Sequence, residues 1–385
     1  MGGAALSTEL LKQSPKAKVQ ANNFASGDQM TQYSDFFVGT YSARAGKVQG
    51  GGEGIYSCRL DLDSGALSAP VCAAACTNPS YLTWGKDRRF LYAASEVFAS
   101  EGPAVLAFEV GTDNSLKTLG SQPVGGELPC HLSIDSSARR LVSAHYWTGD
   151  TQLFPLSQDG RIGSKRITIQ HHGSGPNAKR QEGPHAHFAS FFSDPDELAI
   201  IDLGLDKIFL YPFDAEREEL NLNAQKEVVL PPGTGPRHLT VTPDEKKIYV
   251  LCELSEQIIL FERSPEGWTQ VQQIQAFGDS AAANGAAAAI RLSPDHRFLY
   301  ASGRTQSEIA VFSIDAATGQ LSPVQHIASG GKWPRDFALS PDGRFAVVAN
   351  QHSANLASFR RDEQTGRLSE TGHTAAINDA VCVLF

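Results

Sequence analysis

WPRDFALSPDGRFAVVANQ, residues 333–351, is the stretch whose reading decides the fold. It is a short alternating strand, an S-P-D-G turn, and a second strand of β-branched and aromatic residues. The turn has a mechanism: Pro341 fixes φ at a turn position and Asp342 bonds its own backbone. The same text recurs as NPSYLTWGKDRRFLYAASE (78–96), GPRHLTVTPDEKKIYVLCE (235–253) and AAIRLSPDHRFLYASGR (288–304). LPCHLSIDSSARRLVSAHY (128–146) and GPHAHFASFFSDPDELAIIDLG (183–204) are degenerate copies. A third alternating strand follows in QIILFER (257–263) and EIAVFSID (308–315).

The landmark prolines stand at 79, 129, 184 and 236, and Pro334 lies two further units along. Four short strands in roughly 40–50 residues are the mark of a propeller blade, not of a helical solenoid. Segments with a helical period are almost absent, and the alanine-rich stretch 281–289 reads as a loop. The two ends supply a further blade. FFVGTY (36–41) and GIYSCRLDLDSG (54–65) lack the first strand of the unit, and DAVCVLF (379–385) is a first strand without successors. Joining them leaves no open sheet edge. The expected architecture is all-β, a seven-bladed propeller over residues 35–385 closed by its terminal strands, preceded by a polar tail over 1–34.

Composition fits that picture. The chain has 385 residues, 41% hydrophobic and 19% charged, too apolar and too weakly charged for wholesale disorder. Its formal net charge of −9 argues against a nucleic-acid surface, while leaving room for a local basic pocket. No run approaches the roughly 20 apolar residues that span a membrane. The opening segment has no basic region followed by an apolar run, so no signal peptide is expected. Of six cysteines only Cys72 and Cys76 are close, and no second pair completes a zinc pattern. We expect reduced thiols and a cytoplasmic location.

In order and register the motifs resemble those of the seven-bladed lactonase propellers, a family that includes propeller-type 6-phosphogluconolactonases and fungal carboxy-cis,cis-muconate cyclases. The matching elements are FFVGTY with GIY, G-P-H-A-H at 183–187, D-L-G-x-D at 202–206 and G-P-R-H-L at 235–239. C-E-L at 252–254, I-R-L-S-P-D at 290–295 and the closing C-V-L-F fit as well.

His185 and His187 are two apart on an extended segment, which puts both on one face. They read as a general base or a substrate contact, or as two histidines bonded to loop carbonyls. Arg237 follows G-P at the equivalent blade position, Glu253 ends that blade's second strand, and Arg291 and Arg304 occupy the next blade. Together they read as charges converging on one rim; singly, each is a blade-to-blade ion pair. The resemblance implies a site of a histidine, arginines and a glutamate at these motif positions. Arg335, Asn350, His352 and His131, with Glu96 and His145, are secondary channel-lining candidates, and His171 and His172 read as solvated. Three positions depart from the family: Cys252 and Gly303 stand where asparagine is usual, and Ala289 where an acid is usual. These changes affect the hydrogen-bonding surroundings of the charged groups.

The expected function is hydrolysis of a sugar lactone, with 6-phosphogluconolactone as substrate. A histidine or Glu253 would assist water, and arginines would stabilise the oxyanion or hold the phosphate. The alternatives are a muconate cyclase using the same pocket and a non-catalytic binding scaffold. No cofactor is expected, and no metal: arginine beside a divalent ion is repulsive, and hard cations prefer clustered oxygens. There is no phosphate-cradling P-loop and no G-x-S-x-G elbow. The expected partner is a small anionic substrate, with no nucleic acid and no membrane.

Overall fold

The computed structural model describes residues 32–43, 50–165, 167–194, 196–214, 219–278 and 285–385. Gln32–Phe385 forms one compact unit. It consists of seven antiparallel sheets, six of four strands and one with an additional short pairing. The described residues hold no α-helix, only short 3-10 turns, and no helix is long and apolar enough to cross a membrane.

Each sheet begins with one inner strand. These are Pro79–Trp84, Pro129–Ile134, Ala186–Ser193, Pro236–Val241, Ala287–Leu292, Pro334–Leu339 and Ala380–Leu384. Each touches the next, and Ala380–Leu384 touches Pro79–Trp84, so the inner strands form a closed ring. We number the blades in that order, from blade 1 at Pro79 to blade 7 at Ala380.

Blade 7 is the closure that the incomplete ends implied. Ala380–Leu384 pairs with Tyr33–Thr40 in the register Phe37↔Leu384, Val38↔Val383 and Gly39↔Cys382. Gly54–Asp61 and Val71–Ala75 complete the sheet. The Trp84 indole N–H, from blade 1, donates to the Phe385 carbonyl at 2.6 Å and ties the seam.

The S-P-D turns are built as their chemistry requires. Ser340 Oγ donates to Asp342 at 2.6 Å and accepts the Phe345 N–H at 3.0 Å. Ser293 does the same with Asp295 and Phe298. The second strands then bury aromatic rings between blades. Tyr92, Tyr249 and Tyr300 are fully buried, and their hydroxyls donate to the Gly160, Gly319 and Gly366 carbonyls of the following blade at 2.7–2.9 Å. Gly160 and Gly366 need to be glycine on two counts. Both have φ in the left-handed region, and a Cβ would strike the rings of Phe90 and Phe298. Full burial of each such ring contributes about 1.5–3 kcal/mol, and the hydroxyl bond fixes which neighbour it packs on.

Two local expectations meet a different outcome. In the alanine-rich stretch, Ala287–Ala289 open a buried inner strand, because small side chains are what the blade contact admits there; residues 279–284 lie outside the described residues. Of the tail expected over 1–34, residues 1–31 also lie outside them, and Tyr33 and Ser34 begin the first strand.

Candidate active site

Every inner strand carries a β-bulge near its start. The register slips between Pro79 and Tyr81, Pro129 and His131, Ala186 and Phe188, Pro236 and His238, Ala287 and Ile290, and Pro334 and Asp336. A matching slip opposite Val381 marks blade 7. A bulge inserts one extra residue and re-aims its side chain. The inserted residues are Ser80, Cys130, His187, Arg237, Ala288, Arg335 and Val381, one from each blade. A second ring follows the second strands, where the chain turns at the rim: Glu96, Tyr146, Leu203, Glu253, Arg304, Gln351 and Tyr41. The charged residues of these two rings make the site.

Glu253 is its centre. Its Oε1 accepts from Arg180 at 2.5 Å. Its Oε2 lies 2.8 Å from an Arg304 terminal nitrogen, 3.1 Å from Arg237 Nε and 3.9 Å from His187 Nε2. The Arg237 contact has ion-pair distance without hydrogen-bond alignment, so that among the described residues its Nε has no bonded acceptor. Arg237 instead donates through its terminal nitrogen to the Ala288 carbonyl at 2.5 Å. Arg304 Nε donates to the Ala286 carbonyl at 2.9 Å, and its guanidinium lies 5.5 Å from the Trp333 ring centre. Tyr146 joins three groups: its hydroxyl accepts from Arg180 at 3.2 Å, its ring stacks on His185 at 4.6 Å, and it meets His187 edge-on at 5.3 Å.

The loop ends are held by carboxylates behind the site. Asp202 accepts the His185 and Gly204 amides. Asp206 accepts the Gly233 and Gly235 amides just before Arg237. The D-L-G-x-D motif is therefore a clamp on the two segments that deliver His187 and Arg237. Glu256 does the same for the next blade, accepting from the Ala286 amide and the Gln306 side chain.

Burial pushes the Glu253 carboxyl up, but Arg304, Arg180 and Arg237 outweigh it and hold the group well below the ordinary carboxylate range. Burial, reinforced by Arg304 and Arg335, pushes Arg237 down to about 10. Burial and Arg237 keep the His187 and His238 imidazoles neutral. Four guanidiniums (Arg180, Arg237, Arg304, Arg335) face two carboxylates (Glu253, Glu96), a surplus of two positive charges in a protein of net −9. Beside Arg180, Glu253 and Arg304 opens a cavity of about 660 Å³, lined also by Lys179 and Trp333 among others.

Residues 35–385 match the family model described as "Lactonase, 7-bladed beta-propeller". The chain belongs to this lactonase family. Among its relatives, a 6-phosphogluconolactonase of Bacillus subtilis is 35% identical over 80% of this chain and 85% of that protein. A 6-phosphogluconolactonase of Formosa agariphila is 29% identical over 78% and 85%. The solved structure of a periplasmic gluconolactonase of Pseudomonas aeruginosa superposes with a TM-score of 0.84 and 29% identity, over 91% of this chain and 98% of that one.

Within this lactonase propeller, only some of the sequence candidates come together. His187, Arg237, Glu253 and Arg304 meet at one centre, His185 borders it through Tyr146, and Arg335 and Glu96 stand across the mouth, 3.7 Å apart. His187 is there because of its bulge, not because of the alternation that the sequence suggested. His131 lies deeper in the channel, against Tyr81 at 4.2 Å and Phe188 at 4.0 Å.

Others stand elsewhere. Arg291 is not at the register of Arg237; it pairs with Tyr300 where the corresponding strand places Thr240 opposite Tyr249. Its guanidinium bonds Asp336 at 2.7 Å, away from Glu253. Asn350 donates to the Ser329 carbonyl and braces a loop. His352 is exposed and stacks on Trp333 at 4.7 Å. His145 is enclosed between Ser143 at 3.0 Å and Asp150 at 2.9 Å. That Ser–His–Asp chain is almost completely buried, with no room for a substrate. His171, expected in solvent, is buried against Phe209 and bonded to Asp202 and Tyr211; a polar loop hid a side chain that fills a blade edge. His172 is exposed as expected.

The sequence reading missed Tyr41, Tyr146 and Arg180. The two tyrosines had a signal, since they follow the second strand at the same offset as Glu96 and Glu253. Arg180 sits in an irregular loop with no repeat register to expose it. Among the described residues, no group of three or more His, Cys, Asp or Glu is arranged to hold a metal ion.

Proposed function

We propose that this lactonase-family propeller hydrolyses a sugar lactone bearing an anionic group, with 6-phosphogluconolactone as the substrate. The observation that carries the reading is the surplus of two guanidinium charges around a buried and fully engaged carboxylate. Such a site favours a ligand that brings negative charge, and the surplus matches a phosphate. Arg180 is partly exposed beside Lys179 on the cavity wall, the place for the phosphate. Arg237 and Arg304 are almost fully buried and anchored by carbonyls. They are preorganised to receive charge developing on the lactone carbonyl oxygen.

Glu253 keeps those guanidiniums in place rather than taking a proton. A carboxylate held so far below its ordinary range is a weak base. His187, its basicity lowered by burial and by Arg237, donates or accepts a hydrogen bond at the reacting centre. The names of the Bacillus subtilis and Formosa agariphila relatives support the substrate. The muconate-cyclase alternative finds no support among these relatives, and buried charges at the channel mouth suit catalysis better than a binding scaffold. The six free cysteines suit a reducing, cytoplasmic compartment, which cell fractionation tests.

The deciding measurement is acid release from freshly prepared 6-phosphogluconolactone against its spontaneous opening, with unphosphorylated gluconolactone in parallel. A rate above background that favours the phosphorylated lactone is expected. A rate equal to background for both overturns the reading.

A further inference from the structure

Two carboxylates stand on the rim ring, three blades apart, and they differ in what their oxygens do. Both oxygens of Glu253 face guanidiniums at 3.1 Å or less. Glu96 is also buried, at 8% exposure, yet among the described residues only its Oε1 is bonded, by the Tyr41 hydroxyl at 2.8 Å. Among the described residues, its Oε2 has no hydrogen-bond donor. The nearest cation, Arg335, stops at 3.7 Å and lies over the Tyr41 ring.

A buried carboxylate oxygen without a donor is costly, and native structures tolerate one where a ligand or an admitted water completes it. Glu96 is also held rigidly: its amide donates to the Asn78 carbonyl, and the Asn78 side chain donates to the Glu96 carbonyl at 3.1 Å. Asn78 itself has a left-handed φ, so the backbone at this point is fixed by the blade and not by the side chain's own contacts. The fold thus leaves one buried carboxylate oxygen beside Arg335 without a donor among the described residues, three blades round the rim from the Glu253–arginine cluster.

We propose that Glu96 is the general base of this site, taking the proton of the attacking water through Oε2. The assignment rests on the lactone-hydrolase reading. The water oxygen bonds to the lactone carbonyl carbon, its proton passes to Glu96, and the carbonyl electron pair moves onto oxygen, facing Arg237 and Arg304. That pair then re-forms the carbonyl, and the bond between carbon and ring oxygen breaks. The ring oxygen takes the proton back from Glu96. Lactone and water become a hydroxy acid, and Glu96 ends as it began. Arg335 faces the substrate's negative charge, which draws it off the Glu96 oxygen as the water arrives. Tyr41 holds the other oxygen and sets the direction of the free lone pairs.

The test uses Glu96→Gln, Glu96→Ala and Tyr41→Phe with the wild type on fresh 6-phosphogluconolactone. Loss of a general base lowers kcat about 100- to 10,000-fold. For Glu96→Gln we expect that fall with little change in KM. Formate should restore part of the Glu96→Ala activity. Tyr41→Phe removes the bond that orients the carboxylate, so it should lower kcat with little change in KM. Wild-type kcat in Glu96→Gln, or a fall confined to KM, overturns the base assignment and leaves the lactonase reading standing. A wild type silent above spontaneous hydrolysis overturns both.

Discussion

The Arg291 guanidinium donates to Asp336 Oδ1 at 2.7 Å, and Asp336 accepts the Val383 amide on its other oxygen at 3.0 Å. One carboxylate therefore links the inner strands of blades 5, 6 and 7. Asp336 is buried, and losing its cation would leave a charged acceptor short of a donor, at a cost of about 1–3 kcal/mol. Arg291→Ala should lower the melting temperature by several degrees and leave kcat/KM per folded molecule unchanged. A stable variant with damaged kinetics would return Arg291 to the catalytic group.

The seam of blade 7 should be indispensable. Deleting residues after Ile377 removes the strand Ala380–Leu384, its pairing with Phe37–Thr40, and the Trp84–Phe385 bond. It also uncovers Phe36, Val38 and Phe37, now sealed by Val383, Phe385 and Cys382 in two separate blade cores. The truncated chain should be insoluble or lack a cooperative melt by circular dichroism. A melt like that of the full chain would mean the ring does not depend on its closure.

Stability should fall as pH drops below neutrality. Burial, with Arg291 and Arg237, pushes His131 down; burial, with Arg237, does the same to His187 and His238. Unfolded histidines titrate near 6.5, so below that pH the unfolded chain binds protons that the folded one refuses. Stability is then fully present above about 6.5 and declines as pH falls toward the folded values, by up to about 1.4 kcal/mol per pH unit per histidine. Glu253 acts in the same direction lower down: its stabilisation is present above the ordinary glutamate value and is lost as pH falls through its depressed one. His238→Gln should flatten the decline of melting temperature between neutrality and about pH 5. Equal slopes in variant and wild type would show that His238 carries its proton in the fold.

The blades were legible because their turn chemistry repeats, and the rim because Glu253 and Arg304 each follow a second strand. Register within the inner strands was legible too, if counted back from the turn. Arg237 and Arg335 stand five residues before Thr242 and Ser340 of the turn, as does Ala288 before Ser293, whereas Arg291 stands only two before it. That count separates the arginines at the Glu253 mouth from the one bonded to Asp336. The bulge defeats simple alternation at His187, since one extra residue reverses the face of everything that precedes it. Arg180 and the undonated oxygen of Glu96 depend on loop path and side-chain contacts, which no period encodes.

Arg180 is the residue whose loss should separate phosphate recognition from chemistry. It is the most exposed of the arginines around Glu253, projects into the cavity beside Lys179, and is held by Glu253 and Tyr146. Arg237 and Arg304 are instead fixed to backbone carbonyls behind the reacting centre. A charge-assisted bond to phosphate is worth about 1.5–3 kcal/mol, which is roughly ten- to hundred-fold in kcat/KM. Arg180→Ala should lose that factor on 6-phosphogluconolactone, mainly through KM, and lose little on gluconolactone. Arg180→Lys keeps the charge without the planar fork and should recover part of it. Arg237→Ala should slow both lactones, and through kcat, because the oxyanion forms whether or not the sugar carries phosphate. Steady-state kinetics of the three variants on the two lactones decide the matter. An equal loss on both substrates for Arg180→Ala would place the phosphate elsewhere and leave Arg180 as a support for Glu253 alone.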